Sequence, residues 1–193
     1  MATLTEALTI DISRLGLTDA QFYALCHSNE ALRFELTAQG ALIVMSPVGG
    51  ESGNRESRLN AQVWNWNEAT QLGQVFSSST VFQLPNGAKR SPDVAWVSQP
   101  RWLSLTPEQR KRFPPIAPDF VIELRSETDD LSTLQAKMQE YLDNGVQLGW
   151  LLNPQDQQVE IYQAGAEVRV LALPVQLSGE DVLPSFVLNV DRF

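Results

Sequence analysis

Apolar and polar residues recur at two different periods along the chain, and the switches between them mark out its elements. Residues 18–27 have helical spacing, with Thr18 or Asp19 placed to cap them. A period of two takes over in Leu32-Arg33-Phe34-Glu35-Leu36 and Ala41-Leu42-Ile43-Val44-Met45, on either side of Gln39-Gly40, and predicts a hairpin over 31–46. Pro47-Val48-Gly49-Gly50 breaks the pattern. Helical spacing returns over 54–70, with Leu59, Val63 and Trp66 on one face, and Gly73 is expected to end that helix. Strands are predicted over 74–84 and 92–97, around a turn at Pro85-Asn86-Gly87. The proline-rich stretch 100–117 reads as loop with a short helix over 107–112. A strand over 120–124 and a strongly amphipathic helix over 131–144, stopped by Gly145, come next. Short strands follow over 149–152, 159–162 and 167–173, and a closing segment runs over 179–193. Mixed strands with helices at both ends indicate an α/β or α+β fold. With 193 residues, no internal repeat and no long linker, a single domain over 1–193 is expected.

Composition removes several chemistries. A single cysteine, Cys26, leaves no internal disulfide and no cysteine-based zinc cluster. A single histidine, His27, argues against a Ser-His-Asp triad or a histidine metal site, and the pair reads as a core thiol beside a surface imidazole. No run of about 18 apolar residues is present, and the start lacks the basic-then-apolar order of a secretory signal, so a cytoplasmic chain without membrane spans is expected. The net charge of −9 is not that of an obvious nucleic-acid binder. Lys89-Arg90 and Arg110-Lys111-Arg112 are nevertheless grouped, as a local basic groove or as ordinary solvated helix faces.

The informative acids lie in apolar strands. Ser91-Pro92-Asp93-Val94-Ala95-Trp96-Val97 sets Asp93 at the start of one buried-type run, and Pro118-Asp119-Phe120-Val121-Ile122-Glu123-Leu124 sets Glu123 near the end of another. A carboxylate at such a place is costly to desolvate unless it is paired, hydrogen-bonded or bound to a cation. Asp93, Glu123 and the Leu124 carbonyl could occupy one side of the oxygen octahedron that Mg²⁺ or Mn²⁺ requires. A cation is also needed to orient water or hold a phosphate. On the 131–144 helix Lys137 falls at the border of the stripe Leu131, Leu134, Met138, Leu142, Gly145, where it either reaches the strand ends or snorkels to water. Arg125, two residues after Glu123, is placed as a phosphate ligand or a salt-bridge partner. Glu56 shares the inner side of the first long helix and either completes the metal site or complements the helix N-terminus. Asp119 and Glu160 read as strand-end and solvent-facing charges.

The order Pro92-Asp93-Val94-Ala95-Trp96-Val97, Pro118-Asp119-Phe120-Val121-Ile122-Glu123-Leu124-Arg125-Ser126, Lys137-Met138-Gln139-Glu140-Tyr141, Gly145-Val146 and Gly149-Trp150-Leu151-Leu152-Asn153-Pro154 resembles the Uma2 family, restriction-endonuclease-like proteins of the PD-(D/E)XK superfamily. Gly179-Glu180-Asp181-Val182-Leu183-Pro184-Ser185-Phe186 resembles its closing motif, and the likeness covers about residues 15–190. The resemblance implies a restriction-endonuclease-like core, a central mixed β-sheet flanked by helices. It also implies Asp93 and Glu123 as metal ligands, Lys137 in place of the superfamily's strand lysine, and a homodimer. Arg125 stands where that strand lysine usually sits, and Glu127 replaces a proline common after the family's serine. The expected function is Mg²⁺-dependent (or Mn²⁺-dependent) hydrolysis of DNA phosphodiester bonds by metal-activated water, with Asp93, Glu123 and Lys137 catalytic. Two alternatives are an inactive nuclease-fold module for binding or assembly and a metal-dependent hydrolase of a smaller phosphate ester.

Overall fold

A computed structural model describes residues 7–45 and 47–190. The last residue of the predicted hairpin and the end of the closing segment lie outside the described residues. Strand β1 (Leu8–Asp11) leads through a short 3-10 turn, Ser13–Leu15, to helix α1 (Asp19–Ser28), which Thr18 caps through a reciprocal box with Gln21. The hairpin β2 (Arg33–Leu36) and β3 (Ala41–Met45) and the long helix α2 (Gly50–Thr70) follow. Next come β4 (Gly73–Ser77), β5 (Phe82–Gln83), β6 (Lys89–Arg90) and β7 (Val94–Ser98). Helices α3 (Gln99–Leu103) and α4 (Pro107–Arg110) precede β8 (Phe120–Leu124), α5 (Leu131–Asp143) and β9 (Leu148–Asn153). The chain closes with β10 (Gln158–Gln163), β11 (Arg169–Ala172), β12 (Val175–Ser178) and β13 (Val187–Val190).

These strands form a six-stranded sheet in the order β11-β10-β9-β8-β7-β4, a five-stranded sheet β1-β3-β2-β6-β5 and the hairpin β12-β13. The β8–β9 pair is parallel and its crossover is α5, while the other pairs of the large sheet are antiparallel. The large sheet is therefore mixed, as expected.

Alternation along its strands sorts the core into two layers. Val94, Trp96, Phe120, Ile122 and Leu124 pack with Leu59 and Val63 of α2 and with the closing hairpin. Ala95, Val97 and Val121 face the other way, onto Met138 and Tyr141 of α5. By the same alternation Glu123 lies on the α5 side. A third cluster, Phe22, Phe34, Leu36, Leu42 and Val44, joins α1 to the five-stranded sheet.

Several boundaries differ from expectation. The single strand expected over 74–84 is two, β4 and β5, and they belong to different sheets. Between them the chain turns, with Thr80 N–H donating to the Ser77 carbonyl, while Ser91 Oγ donates to the Ser78 and Thr80 carbonyls. Gly73 does not end α2. That helix stops at Thr70 with Gln71 in the left-handed region, and Gly73 opens β4. At the other end α2 begins four residues early, at Gly50, inside the segment expected to be loop. Proline at its start gives α3 a place in the proline-rich segment, where one helix rather than two was expected. Glu160 is a further correction. Rather than facing solvent it is buried, accepting from Tyr162 Oη and Gln135 Nε2. Asp119 does stand at a strand end, immediately before β8, and is buried among Arg101, Gln147 and the Ser98 N–H.

Candidate active site

The two sheets are joined by three residues, Ser91-Pro92-Asp93, between β6 and β7. In the β7–β8 ladder Val94 faces Ile122, so one further step sets Asp93 against Glu123. Asp93 Oδ2 accepts from the Leu124 N–H at 2.8 Å, which fastens it to the end of β8. That contact uses the N–H of Leu124, whose carbonyl was the group expected at the metal. Both acids line a cleft of about 590 Å³ together with Lys137, Glu56 and Arg125.

Helix α5 supplies the cation. Its apolar stripe seats Met138 and Tyr141 against the sheet, and Lys137, one step round, extends under the strand ends rather than to water. Its Nζ lies 2.9 Å from Glu123 Oε1 and 2.9 Å from Glu35 Oε1. Tyr141 Oη, one turn on, donates to the same Glu123 oxygen at 2.9 Å. The described hydrogen bonds to the two acids thus fall on Asp93 Oδ2 and Glu123 Oε1, which leaves the second oxygen of each for a cation.

The charges are not equivalent. Burial, then the neighbouring Glu123, pushes the Asp93 carboxyl up to about 8. Burial also raises Glu123, although Lys137 opposes it. Glu35 goes the other way. Burial would raise it, but Lys137 and Arg90 outweigh that cost and hold it below its ordinary value. Lys137 is likewise held up by Glu123 and Glu35 against its burial.

Glu56 reaches the cleft from α2 and takes a short hydrogen bond from Ser78 Oγ. Arg125 is engaged at the rim, where it donates to Asn153, Asp156 and the Asp129 carbonyl, each at 3.2 Å. Lys89 and Arg90 form no basic groove, because both are buried in ion pairs, Lys89 with Asp19 and Arg90 with Glu35 and Glu140. Among the described residues no three His, Cys, Asp or Glu side chains are grouped as a metal cage. Two carboxylates on one cleft still fit Mg²⁺ or Mn²⁺, which take one or two acids and fill the remaining positions with water and phosphate oxygen.

Glu35 was not singled out from the sequence. It carried the signal that marked Glu123, an acid between two apolar residues in a short strand, Phe34-Glu35-Leu36. In a hairpin with one wet face such an acid is ordinary, and only the packing shows all three to be buried.

The model of the Uma2 family, described as "putative restriction endonuclease", matches residues 19–191. The chain belongs to the Uma2 family. A solved structure described as "a putative nuclease belonging to DUF820", from Anabaena variabilis, superposes with a TM-score of 0.68 at 19% identity, over 81% of this chain and 87% of that one. The fold of this Uma2 chain is thus that of its solved neighbour, and its family is one of nuclease-like proteins whose wider group generally uses divalent metals. No curated protein matches the chain. No described helix is long and apolar enough to cross a membrane.

Proposed function

We propose that this chain is a single-domain, divalent-metal-dependent nuclease that hydrolyses phosphodiester bonds in DNA. The carrying observation is the convergence of Asp93, Glu123 and Lys137, with Lys137 Nζ 2.9 Å from Glu123, on one cleft at the junction of two sheets. Asp93 and Glu123 would hold Mg²⁺ or Mn²⁺, and the Leu124 carbonyl would be a further oxygen ligand. Such an ion supplies Lewis-acid polarisation of a phosphate and an easily deprotonated water. Lys137, kept charged by its two carboxylates, offers hydrogen bonds and positive charge where a phosphodiester gains negative charge during hydrolysis. Glu56 would support the ion and Arg125 would meet phosphate at the rim.

The test is cleavage of plasmid and short duplex DNA with Mg²⁺ or Mn²⁺, comparing wild type with Asp93→Ala and Glu123→Ala. Each substitution is expected to lower the rate by at least about 100-fold, as loss of a main electrostatic contributor does. Equal residual rates in all three proteins on every DNA would end the nuclease reading.

One observation favours a smaller phosphate ester as substrate: the burial of Lys89 and Arg90 withdraws one of the two basic groups in the sequence from any duplex. Faster turnover of a nucleotide monoester or a dinucleotide than of duplex DNA by the same Glu123-dependent site would select that reading. The family resemblance also supports a homodimer, for which sedimentation at micromolar concentration should give twice the 21.5 kDa chain mass.

A further inference from the structure

Lys137 is held by a residue outside the cleft. Glu35 lies on β2, in the five-stranded sheet, whereas Glu123 and Tyr141 belong to the large sheet and its helix. Glu35 is buried, and its contacts run inward. It takes the Arg90 guanidinium at 3.0 Å and the Ser91 N–H at 2.9 Å, and its Oε1 pairs with Lys137 at 2.9 Å. Arg90 is fixed in turn by Glu140 at 2.6 Å, and Asn86 Nδ2 donates to Glu140 at 3.0 Å. Glu35 is therefore a rigid, fully paired anion.

We propose that Glu35 is the positioning residue for Lys137, anchoring its ammonium from behind so that a divalent ion can take Glu123 without the lysine competing for that carboxylate. The claim rests on the reading of Asp93 and Glu123 as the ion-holding pair. Each of the two carboxylates accepts an N–H of the same ammonium. When an ion draws on Glu123, the ammonium keeps its hydrogen bond to Glu35 and stays within reach of the cleft. Without the Glu35 charge, Glu123 is the lysine's one remaining ion-pair partner among the described residues, and ion and lysine compete for it.

The test is calorimetric titration of Mg²⁺ and of Mn²⁺ into the full chain as wild type, Glu35→Gln, Lys137→Met and the double variant. Glu35→Gln should weaken ion binding by at least about fivefold, the lower range of coupling between sites. In the Lys137→Met background the same substitution should change affinity by less than about twofold, since the competitor is gone. An equal loss in both backgrounds would mean that Glu35 acts only through its charge at a distance, and no loss in either would mean that it does nothing to the ion; both overturn the proposal. A second readout needs no metal. A buried, hydrogen-bonded ammonium exchanges its protons slowly enough to give a ¹H–¹⁵N signal. The signal absent from Lys137→Met should be present in wild type and displaced in Glu35→Gln, where one of the two carboxylates that accept from the ammonium is gone. A signal unchanged in Glu35→Gln overturns the anchoring role even if the wild type takes up no ion, whereas absence of ion uptake with the signal behaving as expected removes the metal reading alone. Glu35→Asp, which keeps the charge and shortens the reach, takes the place of Glu35→Gln if that variant does not fold, with the same expected effects.

Discussion

Asp93 faces Glu123 across adjacent strands, and burial first, then the Glu123 carboxylate, makes Asp93 harder to ionise. Asp93→Asn removes a carboxyl that is costly to ionise there and keeps an oxygen for the Leu124 N–H. The metal-free variant should therefore be as stable as wild type or more stable, by up to about 1 kcal/mol in urea unfolding, while the stabilisation of wild type by Mg²⁺ vanishes. A metal-free loss above about 2 kcal/mol would show that the Asp93 charge supports the fold instead. Cys26 offers a second check at this scale. Burial pushes its thiol up from 9.0 to about 11. A raised acid pKa leaves the neutral thiol dominant up to that pH, so at pH 8 about one thiol in a thousand is the reactive thiolate. Alkylation followed by mass spectrometry should run about 100-fold slower than for a thiol at the ordinary value, and should rise about tenfold per pH unit up to about 11. Fast labelling at pH 7 would contradict the burial. What was legible at this scale follows the same logic. Asp93 and Glu123 stood out because an acid in an apolar strand must find a partner. Tyr141 and Glu35 were hidden because their partners come from distant elements, and no local spacing announces a contact between β2 and α5.

Elements were legible where periodicity was long. Helix α5 ran as expected to within a residue or two, since its stripe fixes both its face and the place of Lys137 beside it. The 74–84 segment was not, because a turn without glycine or proline breaks it, and that turn is held by Ser91 from elsewhere in the chain. Gly73 shows how a local rule can name the right residue for the wrong reason. Both of its backbone groups are clamped by the Asn67 side chain, which also accepts from Trp96 Nε1, so α2, β4 and β7 meet there. A Cβ at Gly73 would lie 2.3 Å from the Val97 carbonyl oxygen and 2.5 Å from the Trp96 ring. At Gly149 the nearest atom, also at 2.5 Å, is the end of the flexible Met138 side chain. Gly73→Ala should therefore cost about 3 kcal/mol and Gly149→Ala about 1 kcal/mol in urea unfolding. The reverse order would mean that the β4–β7 ladder yields more easily than the packing under α5.

For the whole molecule the question is how a chain with a net charge of −9 approaches a polyanion. Of the basic groups grouped in sequence, Lys89 and Arg90 are buried in ion pairs, and Arg110 and Arg112 lie over Trp102 and Tyr23. At the cleft itself the cations nearest solvent are Arg33, Arg55 and Arg125, amid Glu51, Glu127 and Asp129. Two or three phosphate contacts are all that this rim supports, so counterion release should be small, with a slope of log affinity against log salt of about −2 to −3. On the proposed reading recognition would lean on the divalent ion, which would offset the carboxylates of Asp93 and Glu123 and make the floor of the cleft attractive for phosphate. With Ca²⁺ in place of Mg²⁺, to slow cleavage, duplex binding measured by fluorescence anisotropy should tighten at least about tenfold over EDTA. In Glu123→Gln that difference should shrink to within about twofold, because the variant loses one of the two carboxylates the ion needs. Tight binding in EDTA with a slope near −6 would place DNA on a different, strongly basic surface and detach recognition from this cleft.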